Sequence, residues 1–431
     1  MDRGRIGLLR RTKEMKQDIL IIGGGASGLA AAILAARKGA KVTILEHMDR
    51  VGKKILSTGN GRCNLTNLKM DASCYRSENH SFPMEVIGGF GVEETLGFFR
   101  TLGIEPKSRN GYIYPASDQA SSVLDGLRFE AEHLGVEMVT GCQVKEIRPR
   151  AGFQVSTGEG IFRSEAVILA TGSKAAPVTG SDGSGYELAR QLGHRVIKPL
   201  PALVQLRCQG NHYRQLAGIR TDARLTLKAD GQVQAVERGE LQLTDYGLSG
   251  IPAFQISRFG AVALDQKQRV EVEIDFLPQW VEGERETARR LSERAALLDY
   301  RSSGEFLSGL LNKKLAQVLV KAAGIRLERP AGELRQGELR QLAGQLRSYR
   351  ALVMSVNPFA NAQVCRGGVD TRQVDSRTME SKLCPGLYLA GELLDVDGIC
   401  GGYNLQFAWS SGALAGQAAA KRAAGEGRKS R

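Results

Sequence analysis

The chain has 431 residues, too many for one ordinary hydrophobic core, so we expect two or three domains. Its 42% hydrophobic and 24% charged residues are typical of a soluble globular protein, and no apolar run is long enough to span a bilayer. Of the net charge of +13, residues 1–16 and residues 421–431 carry +4 each. This distribution favours basic arms in solvent, with no nucleic-acid partner, over a continuous basic binding surface.

The N-terminal segment is basic, but its apolar stretch at residues 6–9 is too short for the core of a signal peptide. We therefore expect a cytoplasmic protein, whose translation starts at Met1 or at Met15. The seven cysteines form no C-x-x-C pair and the five histidines are scattered, which predicts neither a metal site nor a disulfide framework.

The first ordered elements predict a dinucleotide-binding unit. An apolar strand at residues 19–22 runs into Gly23-x-Gly25-x-x-Gly28, and a helix follows from Ala26 to about residue 38. Such glycines allow a tight turn, close approach to a pyrophosphate and close packing of helix on strand. A second strand at residues 41–45 ends at Glu46, which is placed to accept hydrogen bonds from a ribose.

The next segments alternate loops, helices and short strands. Residues 51–64 form a loop rich in glycine, hydroxyl and amide groups, suited to contact phosphate or a flavin ring. The apolar strand at residues 166–169 ends in Ala170-Thr171-Gly172, which, far downstream of the glycine motif, indicates FAD rather than NAD as the resident cofactor. Between them we predict helices at 92–102 and 121–134 and a small separate sheet of strands at 136–139, 142–148 and 152–157.

From about residue 200 the pattern changes to alternating apolar and polar residues, which predicts antiparallel strands with one wet face. We place these strands at 202–208, 224–229, 232–243 and 270–276, and helices at 282–298, 304–323 and 333–346. The chain then returns to the first domain with a strand at 386–392 and a helix at 406–420, preceded by Gly401-Gly402. The predicted segments are a basic arm (1–17), a nucleotide-binding domain in two parts (18–199 and 351–420), an inserted domain (200–350) and a basic tail (421–431).

Several longer motifs carry a family resemblance: KKILSTGNGRCNLTN at 53–67, GSDGSGYELARQLGH at 180–194, LTDYGLSGIP at 243–252 and GLYLAGELLDVDGICGGYNLQFAWSSG at 386–412. With GGGASGLAAA and LATGS, they resemble the BaiN/RdsA-type NAD(P)/FAD-dependent oxidoreductases over nearly the whole chain. The resemblance implies an α/β fold: a Rossmann-type FAD-binding domain with an inserted β-rich domain and a helical cap.

The resemblance also implies which residues bind FAD. The pyrophosphate, the adenosine and the flavin would each meet a separate group of them. The implied cofactor-binding residues are Gly23, Gly25, Ala26, Ser27, Gly28, Glu46, His47, Lys53, Lys54, Thr58, Gly59, Asn60, Gly61, Arg62, Cys63, Asn64, Val144, Ala170, Thr171, Gly172, Gly391, Glu392, Asp397, Gly402, Asn404 and Leu405.

The activity that the resemblance implies is reduction of a carbon–carbon double bond in a 3-oxo steroid acid during bile-acid 7-dehydroxylation, with NAD(P)H as electron donor. The substrate would be a hydrophobic enone, such as a bile acid or its CoA ester. Tyr403 and Tyr246 are the candidate proton donors, since a phenol can donate both to an oxyanion and to carbon. Two alternatives stay open: a flavin oxidase of a small amine, and an RNA-associated flavoprotein that uses the basic arms.

Overall fold

The structure, a computed structural model, describes residues 16–425, which divide into two compact units. One unit comprises the described residues up to Pro199 and from Arg366, and the other is Leu200–Cys365. Most of the predicted N-terminal arm, the possible start at Met15 and residues 426–431 of the predicted tail lie outside the described residues. No helix within residues 16–425 is long and apolar enough to cross a membrane.

The strands of the described residues are numbered in chain order: β1 Lys16–Ile22, β2 Val42–Leu45, β3 Thr66–Asn67, β4 Tyr75–Arg76, β5 Pro106–Arg109, β6 Tyr112–Pro115, β7 Glu137–Val139, β8 Val144–Arg150, β9 Gly152–Thr157, β10 Ile161–Leu169, β11 Val196–Ala202, β12 Leu206–Cys208, β13 Arg220–Ala229, β14 Gln232–Thr244, β15 Gly247–Ser249, β16 Val270–Asp275, β17 Tyr349–Val356, β18 Val364–Val369, β19 Leu387–Leu389 and β20 Asp397–Gly398. The α-helices are α1 Ala26–Ala36, α2 Lys53–Ser57, α3 Phe82–Gly89, α4 Val92–Thr101, α5 Ala120–His133, α6 Ser184–Gln191, α7 Tyr213–Leu216, α8 Ile251–Asp265, α9 Glu284–Leu297, α10 Lys313–Ala322, α11 Gln336–Arg347 and α12 Tyr403–Ala423.

The central sheet of the first unit has the order β7-β2-β1-β10-β9-β8, and β19 also pairs with β10. Strands β7, β2, β1, β10 and β19 run parallel to one another, as in a Rossmann-type sheet, whereas β9 is antiparallel to β10. The central strands are apolar and buried because helices cover both faces of such a sheet.

The separate small sheet predicted from residues 136–157 is wrong, because all three of its strands belong to the central sheet. The length of β10 explains the difference. Its first half, residues 161–164, pairs with β9, whereas residues 167–169 pair with β19. One long strand thus carries both the β8–β9 hairpin and the returning end of the chain.

Helices α1 and α12 pack closely side by side in the first unit. A Cβ at Gly412 would lie 2.3 Å from the carbonyl oxygen of Ser27, and one at Gly416 would lie 2.2 Å from that of Ala31. Both contacts advance by four residues, so the two helices run in the same direction. Only glycine lets their backbones approach this closely.

The second unit is a closed barrel with the order β12-β15-β14-β13-β16-β17. Its strands alternate buried and exposed residues, as the sequence pattern predicts, and Leu225, Leu227 and Val272 are among those in its core. Helices α9, α10 and α11 contribute Leu291, Leu319 and Leu342 to the same core. This unit extends to Cys365 rather than to residue 350, because β17 closes the barrel against β12 and β16.

Three other predicted elements differ clearly from the structure. The loop at 51–64 contains α2 and a 3₁₀ turn, Thr58–Gly61. The strand predicted at 202–208 is interrupted because Leu203 has a φ of 50°. The helix predicted from residue 304 begins only at Lys313, where the Asn312 side chain accepts a hydrogen bond from the Lys314 amide and caps α10.

Candidate functional site

The glycine turn after β1 creates open space at the start of α1. Gly23 has a φ of 101°, and a Cβ there would lie 2.5 Å from the carbonyl oxygen of Ala170. A Cβ at Gly28 would lie 2.0 Å from the carbonyl oxygen of Gly23, whereas one at Gly25 would meet nothing within 4 Å. Gly25 is the N-cap of α1 and offers no side-chain cap, so the first backbone amides of the helix are available to an anion.

Glu46 lies beside this turn and is 7% exposed. Its Oε2 accepts a hydrogen bond from the Gly24 amide at 2.8 Å, and its Oε1 accepts one from the Met48 amide at 2.8 Å. His47 Nδ1 lies 3.3 Å from Oε1. Because each carboxylate oxygen has a second lone pair, Glu46 can still accept hydrogen bonds from a ribose.

Val144 and the Ala170–Gly172 segment lie on either side of the same site. The Cys142 amide donates to the carbonyl oxygen of Glu46 at 2.8 Å, which holds the start of β8 near this carboxylate. On the other side, the Ala170 amide donates to the carbonyl oxygen of Ile22 at 2.8 Å and fixes Thr171 beside Gly23. The Thr171 hydroxyl is buried with no partner among the described residues, and it lies against Gly185, where a Cβ would come within 1.8 Å of its oxygen.

The two lysines of α2 have different partners. Lys54 Nζ lies 2.6 Å from Glu392 Oε2, and Ser173 Oγ lies 3.2 Å from the same oxygen. This ion pair joins three segments that the sequence predicts to contact the cofactor. Lys53 Nζ instead lies 2.9 Å from Asp49 Oδ1, and 74% of the Asp49 side chain is exposed.

The turn after α2 has an unusual backbone. Gly59, Asn60, Gly61 and Cys63 all have a φ between 54° and 80°. Two of them are not glycine, and such strain concentrates at binding sites. Burial raises the pKa of the Cys63 thiol to about 12, so this cysteine is a packed, protonated side chain rather than a nucleophile.

The N-terminus of α12 offers a second helix end with an open N-cap. Gly402 is that N-cap, has a φ of 92° and provides no side-chain cap. Asn64 Oδ1 lies 2.9 Å from the Cβ position of Gly402, is buried, and has no partner among the described residues. Asn404 is already engaged, since its Oδ1 accepts from the Gly398 amide at 2.8 Å and its Nδ2 donates to the Gly398 carbonyl at 3.0 Å. It thereby fixes Asp397 and Gly398 beside the helix end, where Leu405 is half-buried.

The spacing of the two helix ends suits an extended dinucleotide. Gly412 of α12 packs on Ser27 of α1, and the two helices run in parallel. The N-terminus of α12 therefore extends beyond that of α1 by about eight residues, which corresponds to about 12 Å along the helix axis. A pyrophosphate at one end and a flavin ring at the other fit this arrangement. Gly391 packs against both helices, since a Cβ there would lie 2.4 Å from Ser27 Oγ of α1 and its amide donates to Ser411 Oγ of α12 at 2.9 Å.

Tyr403 is the first residue of α12 and is 4% exposed. Its ring packs edge-on against Tyr75 at 5.9 Å, and the Tyr75 hydroxyl donates to its carbonyl oxygen at 2.9 Å. Burial and the neighbouring Cys74 thiol raise the pKa of the Tyr403 phenol well above its usual value. The phenol is therefore protonated at neutral pH, but it is packed into the core.

Tyr246 lies in the second unit, within a polar network that sequence reasoning missed. Asn357 Nδ2 donates to the Tyr246 hydroxyl at 3.0 Å, and the Arg207 guanidinium lies 4.6 Å from the centre of its ring. Asn357 Oδ1 accepts from Arg207, and its Nδ2 also donates to Gln205 Oε1 at 3.2 Å. No motif marks these partners, because they come from β12 and from the end of β17.

Asp395 was also missed, although it lies within the GELLDVDG motif. It is buried and accepts a hydrogen bond from the Glu78 amide at 2.8 Å. Burial raises the pKa of this carboxyl, and the nearby Asp397 acts in the same direction. Nothing in the local sequence distinguishes Asp395 from the neighbouring acids Glu392 and Asp397, so the sequence gives no signal of its burial.

Comparison with known proteins identifies similar chains over nearly the full length. A family model described as "HI0933-like protein Rossmann domain" matches residues 17–418. The chain is 48% identical over 405 residues to the 3-dehydro-bile acid delta(4,6)-reductase of Clostridium scindens, which covers 93% of this chain and 98% of that protein. It is 30% identical over 402 residues to a ribosomal RNA dihydrouridine synthase of Escherichia coli and 29% identical over 401 residues to that of Haemophilus influenzae. Each of these two matches covers 91% of this chain and 96% of the relative.

Proposed function

Because the chain belongs to the HI0933-like Rossmann family, we propose that it is an FAD-dependent reductase of a 3-oxo-4,6-diene steroid or bile acid. Its electrons would come from cytoplasmic NAD(P)H. The observation that carries this proposal is the 48% identity, over nearly both full lengths, to a delta(4,6)-reductase. The reaction would saturate a carbon–carbon double bond conjugated to a carbonyl group.

The first unit has polar groups that suit FAD at each end. The amides at the start of α1 would bind the pyrophosphate, and Glu46 would accept hydrogen bonds from the ribose. At the start of α12, the backbone amides and the unpartnered Asn64 Oδ1 would bind the polar edge of the flavin. Bound FAD would supply hydride chemistry, taking two electrons from the nicotinamide and delivering them to the enone.

We assign proton donation to Tyr246. Its oxygen accepts a hydrogen bond from Asn357, which leaves the phenolic hydrogen free for a substrate. The Arg207 guanidinium lies over the Tyr246 ring and donates to Asn357 Oδ1, so it holds the side chain in place beside Asn357. Tyr403 is then a positioning residue, because its burial fixes the start of α12.

A second candidate function is supported by the two other relatives. Dihydrouridine synthesis also saturates a carbon–carbon double bond conjugated to a carbonyl, that of the uracil ring. The relatives from Escherichia coli and Haemophilus influenzae are named as ribosomal RNA dihydrouridine synthases. The same flavin site and proton donor could therefore act on ribosomal RNA in this protein. The net charge of +13 is compatible with an RNA substrate.

Anaerobic stopped-flow measurements on the purified holoprotein test the proposal. We expect NADH or NADPH to bleach the flavin, and a 3-oxo-4,6-diene bile acid to restore its absorbance with loss of the dienone chromophore. Reoxidation by uridine-containing ribosomal RNA but not by the dienone would support the second candidate. If only oxygen restores the flavin, with peroxide formed, the protein is an oxidase and the reductase proposal is rejected.

A further inference from the structure

One surface of the first unit combines cations with tyrosines and borders the proposed cofactor site. Strands β3, β6 and β5 form a three-stranded antiparallel sheet. In its register Lys107 lies opposite Tyr114, and Arg109 lies opposite Tyr112. Residues directly opposite each other point to the same side of a sheet, so these four side chains share one face. Together with Arg62 they form what we call the cation–tyrosine face.

The cation–tyrosine face contacts both segments that we assign to the flavin end of the cofactor. Tyr114 Cε1 lies 3.5 Å from the Cβ position of Gly59, and Tyr112 Cε1 lies 2.7 Å from that of Gly401. Asn67 of β3 strengthens the second contact, since its Nδ2 donates to the carbonyl oxygen of Gly401 at 3.0 Å. A substrate bound at the flavin end would therefore meet this face directly.

The charges of the face are not balanced. Asp118 Oδ2 lies 2.5 Å from Lys107 Nζ and 2.7 Å from Arg109 Nη2. The Arg62 guanidinium lies 5.5 Å from the centre of the Tyr114 ring. The hydrogen bond from Lys107 is the main cause that lowers the pKa of Asp118, and the positive charge of Arg62 lowers it further. Three cations thus surround one carboxylate, an excess of two positive charges.

The same face presents apolar surface. Tyr112 of this face is 38% exposed. Rigid aromatic surface flanked by guanidinium and ammonium groups suits a molecule that has an apolar body and an anionic end. Bile acids have this chemistry, because a carboxylate ends the side chain of an apolar ring system.

We propose that the cation–tyrosine face is a substrate subsite that binds the anionic tail of the substrate, a carboxylate or the phosphates of its CoA ester. The inference rests on the proposed function and adds to it the determinant of substrate specificity. Lys107 and Arg109 hold the anion, and Tyr112 supports the apolar body. The reacting enone lies at the other end of the molecule, towards Gly401 and Gly402.

Steady-state kinetics with matched substrates test this subsite. The variants are Lys107→Gln and Arg109→Gln, and the control is Arg128→Gln, an exposed arginine of α5 that is also paired with carboxylates. The substrates are a 3-oxo-4,6-diene bile acid, its methyl ester and its CoA ester. We expect each variant to raise KM for the free acid about tenfold or more, with KM for the methyl ester changed less than twofold. The control should change neither value.

The substrate arms separate the possible outcomes. A KM effect on the CoA ester but not on the free acid identifies phosphate as the anion and supports the subsite. Equal effects on the acid and the methyl ester, or none on any substrate, overturn it while leaving the reductase proposal intact. Weaker binding of uridine-containing RNA to the same variants, with no effect on either the acid or the CoA ester, also overturns it. If the unmodified protein reduces none of the three compounds, the proposed function fails and the subsite fails with it.

Discussion

At the scale of single residues, Tyr246 is distinguished by the environment of its hydroxyl. Asn357 donates to the oxygen and Arg207 stacks on the ring, so the phenolic hydrogen is the one polar hydrogen that Tyr246 can offer to a substrate. Tyr403 has no comparable opening, because it is buried against Tyr75 and Cys74. The two tyrosines therefore predict different consequences when their hydroxyl groups are removed.

We expect Tyr246→Phe to lower the rate of enone-driven flavin reoxidation about 100- to 10,000-fold, the usual contribution of a general acid. Flavin content and flavin reduction by NAD(P)H should not change, because Tyr246 lies outside the unit that carries the cofactor site. Rapid-mixing absorbance measures both half-reactions. Tyr300→Phe is the control, since Tyr300 is a tyrosine of the same unit that is 75% exposed. An unchanged oxidative half-reaction would remove Tyr246 as the proton donor.

Asp395 predicts a pH dependence of stability. Burial raises its pKa in the folded state, so its ionisation opposes folding: the stability it contributes is complete below the unfolded pKa and is lost as pH rises through the folded pKa. We expect Asp395→Asn, which mimics the protonated acid, to gain stability relative to the unmodified protein as pH rises from 4 to 7. Urea unfolding at several pH values measures the difference.

Asp370→Asn is the matched control for this pH dependence, with the opposite sign. Arg372 lowers the pKa of Asp370, so that carboxylate stabilises the fold above its unfolded pKa and loses the effect as pH falls. The Asp370→Asn variant should therefore lose stability relative to the unmodified protein as pH rises from the acid range to the usual pKa of 3.8, with little further change up to pH 7. Parallel profiles for the two variants would contradict the assigned environment of Asp395.

At the scale of elements, the crossing of α1 and α12 sets the distance between the two helix ends that we assign to FAD. The contact depends on Gly412 and Gly416, whose missing side chains let the backbones touch. Gly97 of α4 is also a helical glycine, but a Cβ there would meet nothing within 4 Å. The same substitution should therefore have opposite effects at the two kinds of position.

We expect Gly416→Ala to destabilise the protein by about 1–3 kcal/mol, because the added methyl overpacks the crossing against the Ala31 carbonyl. It should also weaken FAD retention by shifting one helix end. Gly97→Ala should stabilise the protein by about 0.5–1 kcal/mol, since alanine is the better helix former and has open space there. Thermal unfolding and flavin content after dialysis check both. If Gly416→Ala changes neither the stability nor the flavin content, the two helices can move apart without cost and the prediction is wrong.

At the scale of the whole molecule, the two units have separate hydrophobic cores. The first core includes Ile168 of the central sheet, and the second includes Leu227 of the barrel. All the residues that we assign to FAD belong to the first unit. Ligand binding stabilises only the part of a protein that forms the site, so FAD should act on one of the two cores.

We expect calorimetry of the holoprotein to resolve two unfolding transitions, one of which rises in temperature with added FAD. Ile168→Ala should lower the temperature of the FAD-sensitive transition, and Leu227→Ala that of the other. Each buried large-to-small substitution should lower the free energy of unfolding of its unit by about 2–5 kcal/mol. A single transition that both variants and FAD shift together would show that the two units unfold as one.

The sequence by itself determined those parts of the site that depend only on residues adjacent in the chain. The strand, glycine turn and helix from Ile19 to Ala36 follow from short-range sterics, and the barrel strands follow from their alternating pattern. The glycines before α12 likewise predict an open helix end. Much of the α/β fold could therefore be predicted without coordinates, and so could the open helix ends that we assign to FAD.

Only the tertiary structure decided which distant groups meet. Lys54 pairs with Glu392, Asn64 reaches Gly402, and Asn357 reaches Tyr246, although each pair is more than 100 residues apart in the chain. The burial of Asp395 and the joining of the β8–β9 hairpin to the central sheet were equally hidden. Hydrogen bonds and burial between remote segments depend on how the backbone folds back on itself, and no local periodicity or propensity encodes that path.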